Sequence, residues 1–385
     1  MRIARTAALA AAIALAACLG HGQAGAVDQT FRTEKATVQV TTVVRGLSHP
    51  WGLAFLPDGR MLVTEKEGNL RIAAVDGTLS EPLRGVPKVD DRGQGGLLDV
   101  ALDPDFARNR LVYLSYSEAG EGGNSTAVAR GVLSEDDRSL GNLQVIFSQK
   151  PKLDSTKHFG SRLVFDRSGH LFVTLGERSE DRFRGQAQDL DSHLGKVVRI
   201  NPDGTVPADN PFVNRPGALP EIWSYGHRNS QGAALHPQTG VLWMNEHGPR
   251  GGDEINIPEA GKNYGWPVVS YGVNYNGTPV GSGKQSAPGM VEPIHQWTPV
   301  IGASGMAFYT ADAMPGWKGS LFNGGLASRE LVRLELDGTR VTHEERLFHS
   351  LGKRIRQVTQ GPDGALYLLT DESGGEILRV APAKG

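Results

Sequence analysis

Trp51-Gly-Leu-Ala-Phe-Leu-Pro-Asp-Gly-Arg-Met-Leu-Val-Thr64 is an apolar run, a Pro-Asp-Gly turn and a second apolar run. Turn residues of this kind between two such runs mark a β-hairpin. The phrase returns along the chain. It recurs at residues 97–113 around Asp103-Pro104, at 162–174 around Asp166 to Gly169, and at 233–244 around His236 to Gly240. A weaker copy occupies 305–309, and the last runs 357–370 with Pro362-Asp363-Gly364 at its turn. With turn centres at 57, 104, 167, 237, 310 and 362, the spacing runs from 47 to 73 residues. That is the size of a propeller blade carrying insertions.

Met61-Leu-Val-Thr and Leu171-Phe-Val-Thr are nearly continuous apolar strands, so both of their faces are expected to be buried. Sheets stacked face to face in a ring would bury them. No long 3.6-residue period appears beyond the N-terminus. The expected fold is all-β, a single six-bladed β-propeller. A pair of β-sandwiches does not call for six copies, and a β-helix repeat would be much shorter. The excess in the gaps places long loops at roughly 115–160, 177–225 and 246–300, where they would build a site at one mouth of the channel.

Composition sets the remaining bounds. The 385 residues are 39% hydrophobic and include 50 glycines without a three-residue period, which excludes collagen-like and fully disordered chains. Forty Lys and Arg against 42 Asp and Glu leave no basic excess, which speaks against a nucleic-acid partner. No apolar run reaches the ~18 residues of a membrane span. Residues 1–26 read as an export signal, with Arg2 and Arg5 before an Ala/Leu-rich stretch and Ala24-Gly25-Ala26 as a cleavage site. A second reading takes Leu15-Ala-Ala-Cys18 as a lipobox, in which Cys18, the single cysteine, carries a lipid. Both readings put residues 27–385 in the periplasm as one catalytic domain, either soluble or lipid-anchored.

Several residues could carry chemistry. His158 precedes one hairpin and Glu177 follows it, so pairing about a turn centred between Arg167 and Ser168 brings the two together. A carboxylate beside an imidazole fixes its tautomer and supports it as a base. Arg354 and Arg356 are two apart and share one face of an extended strand. With Arg228 they would suit a multiply anionic ligand, although each could equally be a solvated or ion-paired surface arginine. Glu246-His-Gly-Pro-Arg-Gly-Gly-Asp-Glu254 is a Gly-rich acidic loop. Its carbonyls at Gly248 and Pro249, with Glu254 nearby, could serve a hard cation such as calcium, or the loop could be a plain turn. No cysteine pair, HExxH, GxSxG elbow or GxGxxG fingerprint is present, which leaves zinc, serine-hydrolase and Rossmann readings without support.

Taken in order, Gln94-Gly-Gly-Leu-Leu, His158-Phe-Gly-Ser-Arg162, Ser224-Tyr-Gly-His-Arg-Asn229, Glu246-His-Gly-Pro249 with Asp253-Glu-Ile-Asn256, Asn263-Tyr-Gly-Trp-Pro267 and Arg354-Ile-Arg356 resemble one family. It is the soluble, pyrroloquinoline quinone (PQQ)-dependent aldose sugar dehydrogenases, relatives of soluble glucose dehydrogenase. The resemblance runs from about Gly46 to Val380. It implies a six-bladed propeller that oxidises an aldose at C1 to the aldonolactone and passes electrons to an external acceptor. His158 would be the base, Glu177 its orienting carboxylate, and Arg228 the stabiliser of developing charge. Gln94, Asn229, Arg354 and Arg356 would contact the cofactor. Gly248 and Pro249 would hold its Ca²⁺ through their carbonyls. Glu254 and Tyr264, with Ser270 and Glu292, would ligate a second, structural Ca²⁺. Glucose-specific members place a lysine on the cofactor where this chain has Gly325-Leu-Ala-Ser-Arg329, which leaves Arg329 as the available cation. Shorter loops than in the dimeric branch imply a monomer with an open site. A calcium-dependent lactonase-type propeller and a non-catalytic binding propeller remain as alternatives.

Overall fold

The computed structural model describes residues 25–383. The lipobox reading with Cys18, and the export-signal reading up to residue 24, lie outside those residues. Six antiparallel sheets form a six-bladed β-propeller. Each repeat noted in the sequence is the inner hairpin of one blade. Blade 1 holds Pro50–Phe55, Met61–Glu65 and Asn69–Ala73. Blade 2 holds Leu97–Leu102, Leu111–Gly120, Gly123–Leu133 and Leu140–Ser148. Blade 3 runs Gly160–Phe165, Leu171–Leu175, Lys196–Ile200 and Ile222–Tyr225, and blade 4 runs Ser230–Leu235, Leu242–Glu246, Asp253–Asn256 and His295–Trp297. Blade 5 holds Ala303–Phe308, Leu321–Gly325, Leu331–Asp337 and Arg340–Leu347.

Blade 6 closes the ring. Ile355–Gln360, Leu366–Thr370 and Gly375–Pro382 come from the end of the chain, and Thr37–Leu47 with Asp28–Arg32 come from its beginning. Val40 pairs with Val380 and Thr42 with Leu378, so the two ends of the propeller are joined by a ladder of backbone hydrogen bonds. The innermost strand of each blade packs on that of the next, and the last returns to the first. The second strands of blades 1, 3, 4, 5 and 6 are buried along their whole length, as in Met61–Glu65 and Leu171–Leu175. Two-sided burial is what their unbroken apolar sequence called for.

The expected loops need correction in one respect. Residues 115–160 are mostly strand, because blade 2 is built from long second and third strands. The gap between inner hairpins always contains the outer strands of a blade, so gap length overstates loop length. Irregular chain is found instead at 176–195, 201–221 and 257–294.

Each inner hairpin carries a register shift on its first strand. The shifts fall between Pro50/Leu53, Leu97/Val100, Gly160/Leu163, Ser230/Gly232, Ala303/Met306 and Ile355/Gln357. A bulge leaves residues outside the ladder and re-aims their side chains. Here the freed residues include Trp51, Asp99, Arg162, Gln231 and Arg356, one from each of five blades. No helix among the described residues is long and apolar enough to cross a membrane.

Leu378 is fully buried in the strand that joins the two ends. Leu378→Ala is expected to cost about 3 kcal/mol through lost burial and a residual cavity. Urea unfolding read by circular dichroism should show the midpoint fall with little change in slope.

Candidate active site

The bulge residues meet on the propeller axis. Arg162 of blade 3 donates through Nη1 to Asp99 of blade 2 at 3.2 Å and through Nε to the Gln231 carbonyl of blade 4 at 2.6 Å. Its Nη2 reaches the Arg356 carbonyl of blade 6 at 3.2 Å, so the guanidinium spans the centre of the ring. Trp51 of blade 1 lies with its ring 4.1 Å from that guanidinium and 5.7 Å from the guanidinium of Arg356. This layer floors a cavity of about 520 Å³. Trp51, Leu98 and Phe159 form a small apolar cluster on the floor, while Gln94, Arg354, Arg356 and Lys66 stand in the walls.

His158 and Glu177 come together as their pairing about the turn suggested. The hairpin pairs Val164 with Phe172, one step off the expected register, and the bulge restores that register at Gly160 and Leu175. His158 Nδ1 donates to Glu177 Oε1 at 2.5 Å, and the other Glu177 oxygen accepts from the Ser179 N–H at 2.9 Å. His158 Nε2 makes no hydrogen bond among the described residues, so its lone pair is free. Burial, then the charge of Arg228, push the imidazole below its ordinary value of 6.5, against the pull of Glu177. At neutral pH His158 is therefore an uncharged base with a fixed tautomer.

His158 sits at φ +51°, a left-handed conformation that non-glycine residues rarely adopt. Two contacts hold it there. Its N–H donates to Gln94 Oε1 at 2.8 Å, and the backbone of Gly176 presses against its carbonyl. A Cβ at Gly176 would lie 1.9 Å from the His158 oxygen.

Arg228 donates through Nη1 to the carbonyls of His247 and Gly248 at 2.9 and 2.7 Å. Its guanidinium lies 5.1 Å from the ring of Trp266. Asn229 Oδ1 accepts from the Gly160 N–H at 3.1 Å. Arg228 Nε, Asn229 Nδ2, His247 Nε2 and Arg356 Nε are buried without a partner. Arg354 and Arg356 do share a face, and both reach Asp371 Oδ2, at 3.1 and 2.7 Å. Burial opposes ionisation of Asp371, but these two guanidiniums hold it well below the usual carboxylate range. Ile355 pairs with Thr370, so one further step along the hairpin sets Arg354 against Asp371. The same register argument that found Glu177 would have found Asp371.

Gly248 and Pro249 lie in the wall between this cavity and a small one of about 20 Å³. Glu254, Tyr264 and Ser270 line the small cavity, together with Glu246. Glu292 does not join them: it is exposed and accepts from the Tyr271 hydroxyl at 3.2 Å. The Tyr264 hydroxyl is committed to the Ile257 carbonyl and accepts from the Glu259 N–H. Among the described residues no group of three or more His, Cys, Asp or Glu is placed to hold a metal ion. Burial, then the neighbouring Glu246, push Glu254 up to about 8. Burial works against ionisation of Glu246 too, but His227, the Arg228 N–H and Asn256 hold it below the ordinary value. Arg329 is exposed, outside the cavity lining, and 3.5 Å from the Gly352 carbonyl; Lys66 is the lysine that lines the cavity.

Residues 47–379 match the family model described as Glucose / Sorbosone dehydrogenase. The chain belongs to this family. The dehydrogenase is 50% identical over 350 residues to the aldose sugar dehydrogenase YliI of Escherichia coli K12, covering 90% of this chain and 94% of that protein. A crystal structure of a glucose dehydrogenase superimposes with TM-score 0.87 at 52% identity, over 90% of this chain and 99% of that one. The PQQ-bound aldose sugar dehydrogenase of Streptomyces coelicolor superimposes with TM-score 0.74 at 31% identity, over 90% and 99%.

Two measurements probe the dehydrogenase site without its ligands. Gly176→Ala is expected to lower stability by about 2 kcal/mol or more, because backbone rather than a flexible side chain must give way. Thermal melting reads this directly. Glu254 keeps its proton to about pH 8 when folded, against an ordinary value of 4.5. Between these values the folded state binds more protons than the unfolded, so this group withdraws stability as pH rises through the window. In chelator-treated protein, Glu254→Gln should flatten the fall of melting temperature from pH 5 to 8.

Proposed function

We propose that this dehydrogenase oxidises aldose sugars at C1 to aldonolactones with PQQ and Ca²⁺, and passes the electrons to an external acceptor. The observation that carries the reading is the His158–Glu177 contact at 2.5 Å, which leaves His158 Nε2 free as a base on the residue next to Phe159 and Gly160 of the cavity lining. The residues present suit the cofactor. An apolar cluster with Lys66, Arg354 and Arg356 in the walls suits an anion that carries a ring, and buried donors without partners call for an acceptor ligand. When bound, PQQ with its Ca²⁺ supplies a two-electron acceptor for the hydride leaving C1.

The chain's own residues do the rest. His158 Nε2 takes the proton of the C1 hydroxyl as the lactone carbonyl forms, and Glu177 stabilises the imidazolium that results. Arg228 supplies positive charge where negative charge develops. Arg354 and Arg356, sharing the single charge of Asp371, retain a net positive charge for the cofactor's carboxylates. Gln94 and Asn229 support the base from behind through the His158 and Gly160 N–H groups and face the cofactor. Gly248 and Pro249 would hold the ion by their carbonyls, the first of which also accepts from Arg228. Glu254 with Ser270 and the Tyr264 segment would hold a second ion. A lactonase-type propeller wants a cation on the axis, and Arg162 occupies the axis here. The export reading of residues 1–26 makes the protein periplasmic, either soluble or anchored through Cys18, and the shorter loops favour a monomer.

Reconstitution tests the proposal. Apoprotein with Ca²⁺, PQQ, glucose and a dye acceptor should bleach the dye only when all are present. His158→Ala should lower kcat by about 10³-fold. In the wild-type enzyme kcat/KM should fall on acidification with a midpoint below 6.5, since His158 must be neutral to act. No bleaching with any aldose and no quinone binding by titration would overturn the proposal.

A further inference from the structure

We propose that His247 is a further cofactor-binding residue, its imidazole hydrogen-bonding the bound quinone from the wall that separates the two cavities. The inference rests on the quinone reading above and adds a contact to it.

His247 lies between residues that are already committed. The carboxylate of Glu246 accepts from His227, from the Arg228 N–H at 2.6 Å and from Asn256 at 2.9 Å. Gly248 donates its N–H to Asp253 at 2.8 Å. The backbone of His247 is likewise used up, with its N–H on the Asn229 carbonyl at 3.0 Å and its carbonyl on Arg228 at 2.9 Å. The ring is therefore held in place by its own main chain, and it lines both cavities. Neither ring nitrogen has a hydrogen bond among the described residues, and Nε2 is buried. Nor does the ring stack on an aromatic neighbour, as His227 does on Tyr264 at 4.7 Å.

A buried nitrogen without a partner is a stability cost, and leucine would fill the same wall without it. The same signature marks Arg228 Nε, Asn229 Nδ2 and Arg356 Nε, three residues placed at the cofactor on other grounds. His247 lines the large cavity with Arg356 and the small one with Arg228, and it has the same unmet hydrogen bond as these residues and Asn229. Groups left unpaired in this way at one site are paired by what the site binds.

The test compares His247→Leu and His247→Asn with wild type. PQQ is titrated into apoprotein with Ca²⁺ present, and the apoproteins are melted separately. His247→Leu should weaken quinone affinity tenfold or more while leaving the apoprotein melting temperature unchanged or raised. His247→Asn, which keeps an amide donor and acceptor, should recover part of the affinity. Affinity within twofold of wild type in both variants overturns the inference and leaves the quinone reading standing. A melting temperature that falls in the apo Leu variant also overturns it, because the ring would then be structural. Wild-type protein that binds no PQQ overturns the quinone reading and this inference together.

Discussion

Everything at the mouth depends on the ring being closed, and closure rests on one antiparallel ladder between Thr37–Leu47 and Gly375–Pro382. An open stack of blades would leave the first strands of blades 1 and 6 without each other to pack on. Arg162 of blade 3 could not then find the Arg356 carbonyl of blade 6. The ladder joins residues more than 300 positions apart, so its loop-closure cost falls due before the axial contacts reward it. Core burial around it, with Val40, Leu378 and Val380 fully enclosed, is what offsets that cost.

Closure alone gives a ring with six similar inner strands. The bulges make them different. Each frees one or two residues from the ladder near the mouth, and the sequence at that point decides what the blade contributes. Blades 2 and 3 contribute an ion pair, blades 4 and 6 a Gln–Arg hydrogen bond at 2.9 Å, and blade 1 an indole. Carboxylates at or just past the ends of second strands then take up groups on the residues that lead into the first strands, and Arg356 from a bulge. Glu65, Glu177, Glu246 and Asp371 hold the Ser48 N–H, His158, the Arg228 N–H and the two arginines respectively.

This division explains what the sequence made legible. Hairpins are local, and their turns and apolar runs are visible in any single copy, so all six inner hairpins could be read, including the weak one at Ala303–Phe308. The His158–Glu177 pair is also local, because it follows from register about one turn. Asp371 obeys the same rule, set against Arg354 by the register of the last hairpin. The axial layer is different in kind. Asp99, Arg162, Gln231 and Arg356 come from four blades, and no spacing along the chain predicts that they meet. Resemblance supplied Glu254, Tyr264 and Ser270, which the structure gathers at the small cavity, and also Glu292, which it leaves exposed.

The site and the scaffold are under opposite demands. In the core, Leu62, Val173 and Leu368 pack within apolar clusters and bring no polar side-chain atom with them. At the mouth the same fold keeps a left-handed histidine, the buried carboxyl of Glu246 beside the half-buried one of Glu254, and buried nitrogens on Arg228, Asn229, His247 and Arg356 without a partner among the described residues. Each of these lowers the stability of the protein by itself. They are tolerated because a closed six-bladed ring surrounds them with far more buried apolar surface than one small site can undo. A ligand that satisfies them recovers that free energy as affinity. The strain in the apoprotein and the strength of binding are therefore two measures of one arrangement.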